Sequence, residues 1–396
     1  MKTLHDFSFE NKRALIRVDF NVPLDSNKKV TDATRIEAAL PTINYVLDNG
    51  GSVVLMSHLG RPKGGFDASF SLEHIVYKLE ELIGKKVEFG GDCIGANAIE
   101  ITKNLAAGSV VLLDNLRFYE EEKKGEIKFA DKLAGHGDIY VNDAFGTAHR
   151  AHASTAVIAN NFIGSSCFGL LMQKELESVR KVMLSPSKPF TAIIGGAKVS
   201  SKISIIQNLM EKLDNLIIGG GMSYTFVKAM GGEVGNSLIE EDYVKEAKAI
   251  LDSAEAKGVR ILIPEDSVIA DAFSNDANKK TVPSSEIPTG WMGLDIGETA
   301  ITHYAKCIEV SKTILWNGPM GVFEMDNFQD GTKKIAYSVV AATERGAYSL
   351  VGGGDSVAAI NKYELKEHVS YVSTGGGALL ELIEGKELPG VAAIEK

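Results

Sequence analysis

Residues 52–83 read SVVLMSHLGRPKGGFDASFSLEHIVYKLEELI and contain one strand, one loop and one helix in order. SVVLM is an apolar run of strand length without polar alternation, the pattern of a strand covered on both faces. Behind the polar loop, Ser71 stands where a helix needs a cap, and Leu72, Ile75, Val76, Leu79 and Leu82 make one apolar stripe over residues 71–83. The same alternation runs the length of the chain. Strands are expected at 14–18, 52–56, 110–113 and 139–141, then at 190–194, 215–218, 260–263, 313–315, 348–351 and 369–372, with helix-length segments between them. That alternation predicts an α/β protein with doubly wound, mainly parallel, Rossmann-like sheets.

At 396 residues the chain exceeds one ordinary core and suits two domains. LLMQKELESVRKV, residues 170–182, has helical periodicity and precedes the turn-rich SPSKP. The expected division is residues 1–169, a connecting helix at 170–184 with a hinge around 185–189, and a second domain from 185. The composition, 44% hydrophobic and 24% charged, is that of a globular protein. A net charge of −10 and a pI near 5.4 argue against nucleic acid or a membrane surface as partner, so any anion site must be locally basic. The first residues lack the apolar segment of a signal peptide and no apolar run reaches membrane-spanning length, which gives the expectation of a cytoplasmic protein. Cys93, Cys167 and Cys307 are widely spaced in apolar surroundings and read as reduced packing residues.

Arginine and glycine divide the chain functionally. Seven of the nine arginines lie in the first half. Arg35, Arg61, Arg117 and Arg150 fall in or near loops at strand ends, where open α/β sheets bind ligands. Several converging guanidinium groups need an anion with more than one charged end. His58 shares a loop with Arg61, and Asp19 and Asn21 add partners for a substrate hydroxyl. Arg17, inside its strand, reads instead as a structural residue paired with a carboxylate. His149 and His152, three apart with no carboxylate in the motif, make a poor metal site.

The glycine triplets at 219–221, 352–354 and 375–377 all follow apolar runs in the second half, where bare amides can approach phosphate. Neither GxxxxGK[ST] nor GxGxxG is present, which disfavours a P-loop or dinucleotide fingerprint. GGAKVSSKI, residues 195–203, reads as a strand-to-helix turn with amides for phosphate and charge from Lys198 and Lys202. In VGGGDSVAA, residues 351–359, Asp355 could cap a helix, or could hold magnesium together with phosphate oxygens.

With WNGPMGVFE at 316–324, and RVDFNVP, SHLGRP, AHRAHAS, GGAKVSSKI and GGGDS elsewhere, the sequence resembles the phosphoglycerate kinases over essentially its whole length. The resemblance implies magnesium-dependent transfer of phosphate between 1,3-bisphosphoglycerate and ADP, giving 3-phosphoglycerate and ATP, by a monomer whose two domains close on their ligands. It implies an N-terminal phosphoglycerate domain, a nucleotide domain at 185–376, and a last segment, 377–396, that returns to the first domain. Asp19, Asn21, Arg35, His58, Arg61, Arg117 and Arg150 would bind phosphoglycerate. Lys198 and Lys202 would lie at the nucleotide phosphates, Gly220, Gly221, Gly293, Leu294, Gly321 and Val322 around the base, and Glu324 at the ribose. Asn317, Gly353, Gly354, Asp355 and Ser356 would complete the phosphate and metal region, with Asp355 as the magnesium ligand. Arg35, Lys198 and the amides at Gly354 and Gly376 would meet the transferring group. Two positions depart from the family pattern: Asp114 in LLDNLRF, where glutamate is usual, and Leu379 in GGGALLE, where a smaller or polar residue is common.

A carboxylate acceptor is already ionised at neutral pH, so this reaction needs positioning and charge rather than a general base. Another acyl-phosphate kinase acting on a different small acid is the rival within enzymes. A catalytically silent nucleotide-binding scaffold is the rival outside them, and intact Arg35, Lys198, Lys202 and Asp355 argue against it.

Overall fold

Six parallel strands build the first sheet of the computed structural model, which describes residues 1–396. They are Arg13–Arg17 (β1), Ser52–Met56 (β2), Val87–Phe89 (β3), Val110–Leu112 (β4), Ile139–Asn142 (β5) and Ser166–Phe168 (β6), ordered β3-β4-β2-β1-β5-β6. SVVLM is β2, buried at every residue as its unbroken apolar run requires. Leu55, Ile16 and Val141 share one core with Ile36, Ile43 and Val46 of the helix Thr34–Asp48. Ser71 caps as expected, its hydroxyl accepting from the Glu73 amide at 3.1 Å, although the first turn, Leu72–Ile75, is a 3-10 turn that runs into the helix Val76–Ile83.

The remaining strands are Phe190–Ile194 (β7), Asn215–Ile218 (β8), Glu233–Val234 (β9), Arg260–Leu262 (β10), Asp266–Ala270 (β11), Lys279–Pro283 (β12), Glu286–Ile287 (β13), Met292–Ile296 (β14), Thr313–Asn317 (β15), Tyr348–Val351 (β16) and Tyr371–Val372 (β17). A second six-stranded parallel sheet has the order β10-β8-β7-β15-β16-β17. Beside it lie an antiparallel sheet β12-β11-β14 and the short parallel pair β13-β9. Trp316 on β15 is fully buried, with its indole N–H donating to the Gly318 carbonyl at 2.9 Å.

Contacts divide the chain into two units, Met1–Leu176 with Glu387–Lys396, and Glu177–Lys386. The division falls inside the helix Leu170–Met183, earlier than the SPSKP break. That break is bound into the second unit, where Thr313 donates to the Ser187 carbonyl at 2.9 Å and the Lys312 amide to Pro189 at 2.8 Å. The returning segment is also shorter than 377–396. The helix Gly377–Ile383 stays with the second unit, where Asn208 donates to the Ile383 carbonyl at 2.6 Å, and the chain rejoins the first unit only from Glu387. There the helix Pro389–Glu395 docks through Gly390, whose amide donates to Ala148 at 2.8 Å and whose carbonyl accepts from Asn142 at 3.2 Å.

The two unusual positions have local partners. Asp114 is buried and accepts from the Ser71 hydroxyl at 3.1 Å and the Leu72 amide at 2.8 Å, so it ties the helix start to the end of β4. Leu379 is buried against Gly352, where any Cβ would collide with it. All three cysteines are free and buried.

Asp143 follows β5 and accepts from the Met172 amide at 3.1 Å, at the start of the helix Leu170–Met183, while its second oxygen is buried without a partner. Burial pushes its carboxyl up to about 7, against the hydrogen bonds that lower it. The folded protein therefore binds a proton between about pH 4 and pH 7 that the unfolded chain does not, and this group's contribution to stability falls as pH rises through that window. Asp143→Asn should flatten that fall; urea midpoints measured from pH 4 to pH 8 that decline as steeply as the wild type would contradict the assignment.

Candidate functional site

The first unit gathers its charged groups beyond the carboxyl ends of the strands. Asp19 and Asn21 follow β1, His58 and Arg61 follow β2, Arg117 sits in the turn Leu116–Phe118 after β4, and Arg150 closes the segment after β5. Arg35 comes from the first turn of the helix Thr34–Asp48 and pairs with Asp19 at 2.9 Å. Asn21 accepts from the Gly60 amide at 2.8 Å, and Arg117 donates to the Gly60 carbonyl at 2.7 Å. Both thus brace the loop that carries His58 and Arg61. Arg61 and Arg150 are exposed; Arg150 touches only the neighbouring His149 ring, at 3.2 Å.

Arg17 is not the directly ion-paired residue expected from sequence. Its guanidinium is 1% exposed and points into this cluster, donating to Ser154 Oγ at 2.9 Å and to His58 Nδ1 at 3.3 Å. Ser154 passes the contact on to buried Glu122, its hydroxyl donating at 2.6 Å and its amide at 3.0 Å. Burial pulls Arg117 down to about 10, helped by Arg17 and Arg150, so it stays charged near neutrality. His58 falls well below its usual range through burial and then through Arg17, Arg117 and Arg35, and His152 falls to about 4 through burial and then Arg17, Arg150 and Arg117. Both rings are neutral at pH 7 and present hydrogen bonds, not charge.

Sequence reasoning missed Asn115. It is fully buried, and its amide oxygen accepts from Leu59 N at 3.2 Å and Arg117 N at 3.0 Å, while its nitrogen donates to the carbonyls of Leu59 at 2.7 Å and Phe70 at 2.9 Å. One side chain clamps the two loops that carry His58, Arg61 and Arg117. Glu122 was missed for a different reason: within EEEKK only the fold tells a buried glutamate from two solvated ones.

In the second unit a cavity of about 350 Å3 opens at the carboxyl ends of β7, β15 and β16. Gly195, Gly196, Ala197, Lys198, Ser201, Lys202, Asn317, Gly318, Gly353, Gly354, Asp355, Ser356 and Leu380 line it. GGAKVSSKI is mostly loop here. Its helix, Ile203–Leu209, begins only at the last residue of the motif, because Ser200 is held by Glu240 through its amide at 2.9 Å and its hydroxyl at 2.7 Å. Lys202 donates to Asn317, which donates in turn to the Gly352 carbonyl at 2.7 Å. Burial lowers the Lys202 ammonium, and the fields of Asp355 and Glu384 oppose that.

Gly353, at φ +93°, is the cap of the helix Gly354–Lys362, and no side chain caps this terminus. Asp355 is exposed in the first turn with its carboxylate unbonded, so it does not act as the cap. A lone carboxylate beside glycine amides and two lysines fits a magnesium ion that takes its other ligands from phosphate oxygens and water. No group of three or more His, Cys, Asp or Glu side chains could hold a metal without such help.

The remaining sequence-derived positions do not line this cavity. Gly220, at φ +67°, donates to Met320 at 2.9 Å, and the Val322 amide donates to Leu294 at 2.8 Å, which brings 293–294 and 321–322 together. Gly293 abuts the Tyr224 hydroxyl, Gly321 abuts buried Asp295, Gly221 lies near Ala197, and Glu324 is exposed. Gly376, at φ +49°, is the cap of the helix Gly377–Ile383.

An arginine cluster on one parallel sheet and a glycine, lysine and carboxylate cavity on another are groups of the kind a phosphotransferase uses. The phosphoglycerate kinase family model matches residues 4–386. The phosphoglycerate kinase of Porphyromonas gingivalis is 52% identical, covering 99% of this chain and 100% of the relative, and the cytosolic enzyme of Nicotiana tabacum is 52% identical over 99% and 98%. The solved structure of the Coxiella burnetii enzyme superimposes with a TM-score of 0.92 at 39% identity, over 99% of this chain and 98% of that one. The chain belongs to the phosphoglycerate kinase family.

The cradle's geometry yields a direct check. A Cβ at Gly353 would collide with Asn317 Nδ2, and φ +93° disfavours any L side chain, at a cost of about 1–3 kcal/mol. Gly353→Ala should therefore weaken ATP binding by about tenfold or more, by calorimetry; unchanged affinity would mean that the Asn317–Lys202 arrangement is not part of the phosphate cradle.

Proposed function

We propose that the first unit binds 3-phosphoglycerate or 1,3-bisphosphoglycerate through Asp19, Asn21, Arg35, His58, Arg61, Arg117 and Arg150, and that the second unit binds ATP or ADP. The observation that carries this reading is charge: the guanidiniums of Arg17, Arg35 and Arg117 gather around His58, with that of Arg150 near Arg117, and the neighbouring carboxylates are Asp19 and Glu122. An acid bearing both a phosphate and a carboxylate supplies what is missing. A monovalent or uncharged ligand does not.

The nucleotide phosphates lie against the amides at Gly353 and Gly354 with Lys198 and Lys202, the base among Gly220, Gly221, Gly293, Leu294, Gly321 and Val322, and the ribose at Glu324. Asn317 and Ser356 orient the cradle, Asn317 through Lys202 and Ser356 by accepting from the Gly318 amide. Magnesium, held by Asp355, supplies charge neutralisation at the phosphates. In the ATP-consuming direction a carboxylate oxygen of 3-phosphoglycerate attacks the γ-phosphorus. The bond from phosphorus to the β-γ bridging oxygen breaks, and ADP leaves with that electron pair. No proton moves, so the chain's task is to align the two ligands in line and stabilise the charge, through Arg35, Lys198 and the amides at Gly354 and Gly376. The transfer must also exclude water, which would otherwise compete as acceptor.

The same reading makes the protein a monomer in the cytoplasm, the location printed for the tobacco relative. No helix is long and apolar enough to cross a membrane.

A coupled assay with 3-phosphoglycerate, ATP and magnesium should show turnover that Arg35→Ala lowers by about 10²–10³, with ATP affinity unchanged. No turnover in the wild type despite ATP binding would favour a silent scaffold or a different acid. Asp355→Asn should raise the magnesium concentration needed for half-maximal rate while leaving metal-free nucleotide affinity in place; an unaltered magnesium requirement would remove Asp355 as the ligand.

A further inference from the structure

Arg17 and His58 are joined by a hydrogen bond whose direction the chemistry fixes. A guanidinium has N–H donors, no acceptor, and does not lose its proton in proteins. In the 3.3 Å contact between Arg17 and His58 Nδ1, the arginine must donate and the ring nitrogen must accept. A proton on Nδ1 would point at the N–H groups of a permanent cation.

The neighbours hold this arrangement in place. Arg17 Nε donates to Ser154 Oγ, whose single proton goes to Glu122 at 2.6 Å, and another Arg17 donor goes to the Val18 carbonyl. The guanidinium therefore has no freedom to turn away. Asp19 Oδ1 faces the same ring nitrogen and would favour a proton on it, but lies 3.9 Å away, beyond hydrogen-bond distance, while the other Asp19 oxygen is taken by Arg35. Arg35, Arg117 and His152 are the other charged or titratable groups whose fields reach the ring, and each opposes a second proton on it. The ring is 5% exposed, and its hydrogen bond to the protein is made through Nδ1.

We propose that Arg17 is a positioning residue that fixes His58 as the neutral tautomer protonated on Nε2, so that the site offers its anionic substrate a directed N–H donor. This rests on the reading of the first unit as the phosphoglycerate site. It separates two jobs among the cations: Arg35, Arg61, Arg117 and Arg150 supply charge to the ligand, whereas Arg17 acts through the imidazole. A donor held this way keeps its proton wherever the ring is neutral, so 3-phosphoglycerate affinity should carry no histidine titration from His58 between pH 6 and pH 8.

The test is nitrogen NMR on the full chain labelled with 15N-histidine, with the His58 signals identified by their loss in His58→Gln. The expected spectrum has an unprotonated Nδ1 and a protonated Nε2, constant from pH 6 to pH 8. A ring protonated on Nδ1, or on both nitrogens, overturns the proposal. Adding 3-phosphoglycerate should shift the Nε2 signal; a correct tautomer that does not respond would uphold the Arg17–His58 bond and overturn His58 as a substrate contact, so the two failures are distinguishable. Arg17→Met should move the ring toward the Nδ1-protonated form facing Asp19 and raise KM for 3-phosphoglycerate by about tenfold, with KM for ATP unchanged. An unchanged tautomer in that variant overturns the role given to Arg17, and the wild-type spectrum decides the matter if the variant does not fold.

Discussion

Glu122 is what lets the first unit bury the guanidinium of Arg17. Burying the guanidinium of Arg17 without a compensating group would cost several kcal/mol, and the carboxylate of Glu122, reached through Ser154, is the compensation. The bargain is mutual. Burial pushes the Glu122 carboxyl up, and Arg17 is the largest influence holding it down, ahead of the Ser154 hydrogen bonds. With that pair settled beneath the surface, Arg35 pairs with Asp19, and Arg117 and Arg150 add further positive charge nearby. Burial is the main cause of the depression of Arg117 to about 10, and the positive fields of Arg17 and Arg150 add to it.

In the second unit the controlling constraint is steric. The loops leaving β7, β8 and β15 approach one another so closely that a Cβ on Gly195 would strike the Pro319 carbonyl, one on Gly318 would strike Gly195, and one on Gly220 would meet Gly196 and Pro319. Three loops meet through backbone alone, and Met320 and Trp316 fill the space behind them. That contact fixes where Asn317 stands, and so where Lys202 and the Gly353 turn stand. Charge does little to shape this cradle; it is added to a frame that close packing has already set.

Legibility followed the same division. Buried parallel strands were readable because SVVLM, FTAII and YSLV are short, mainly apolar stretches, each broken by no more than one small hydroxyl residue. The edge strands VEF and SCF are three residues long and carry no such signal. The antiparallel sheet was unreadable because KKTVP is mostly exposed, ends in proline and shows no apolar face. Among site residues, arginines and glycines stand out by type and position, whereas Glu122, Ser154, Asn115 and Glu240 are ordinary polar residues whose roles depend on partners 32 to 137 positions away. Arg17 lay between these cases. Its motif was visible, but a side chain inside a strand can face either way, and only the register of β1 against β2 sets it beside His58.

The absence of a base follows from these arrangements and is not a gap in them. His58 and His152 are kept neutral, but each is surrounded by fixed positive charge that makes it reluctant to take a proton, the reverse of what a general base needs. The carboxyls of Asp143 and Asp295 are pushed up to about 7, in the range where a base would work, but both are buried and committed to backbone amides, of Met172 in one case and of Gly331 and Ile296 in the other. A carboxylate nucleophile arrives without a proton to lose, and a site assembled from guanidiniums, an ammonium and glycine amides can act on it only by holding, aligning and neutralising. The same groups in the same positions would serve the reaction equally in either direction, because neither direction asks them to change protonation state.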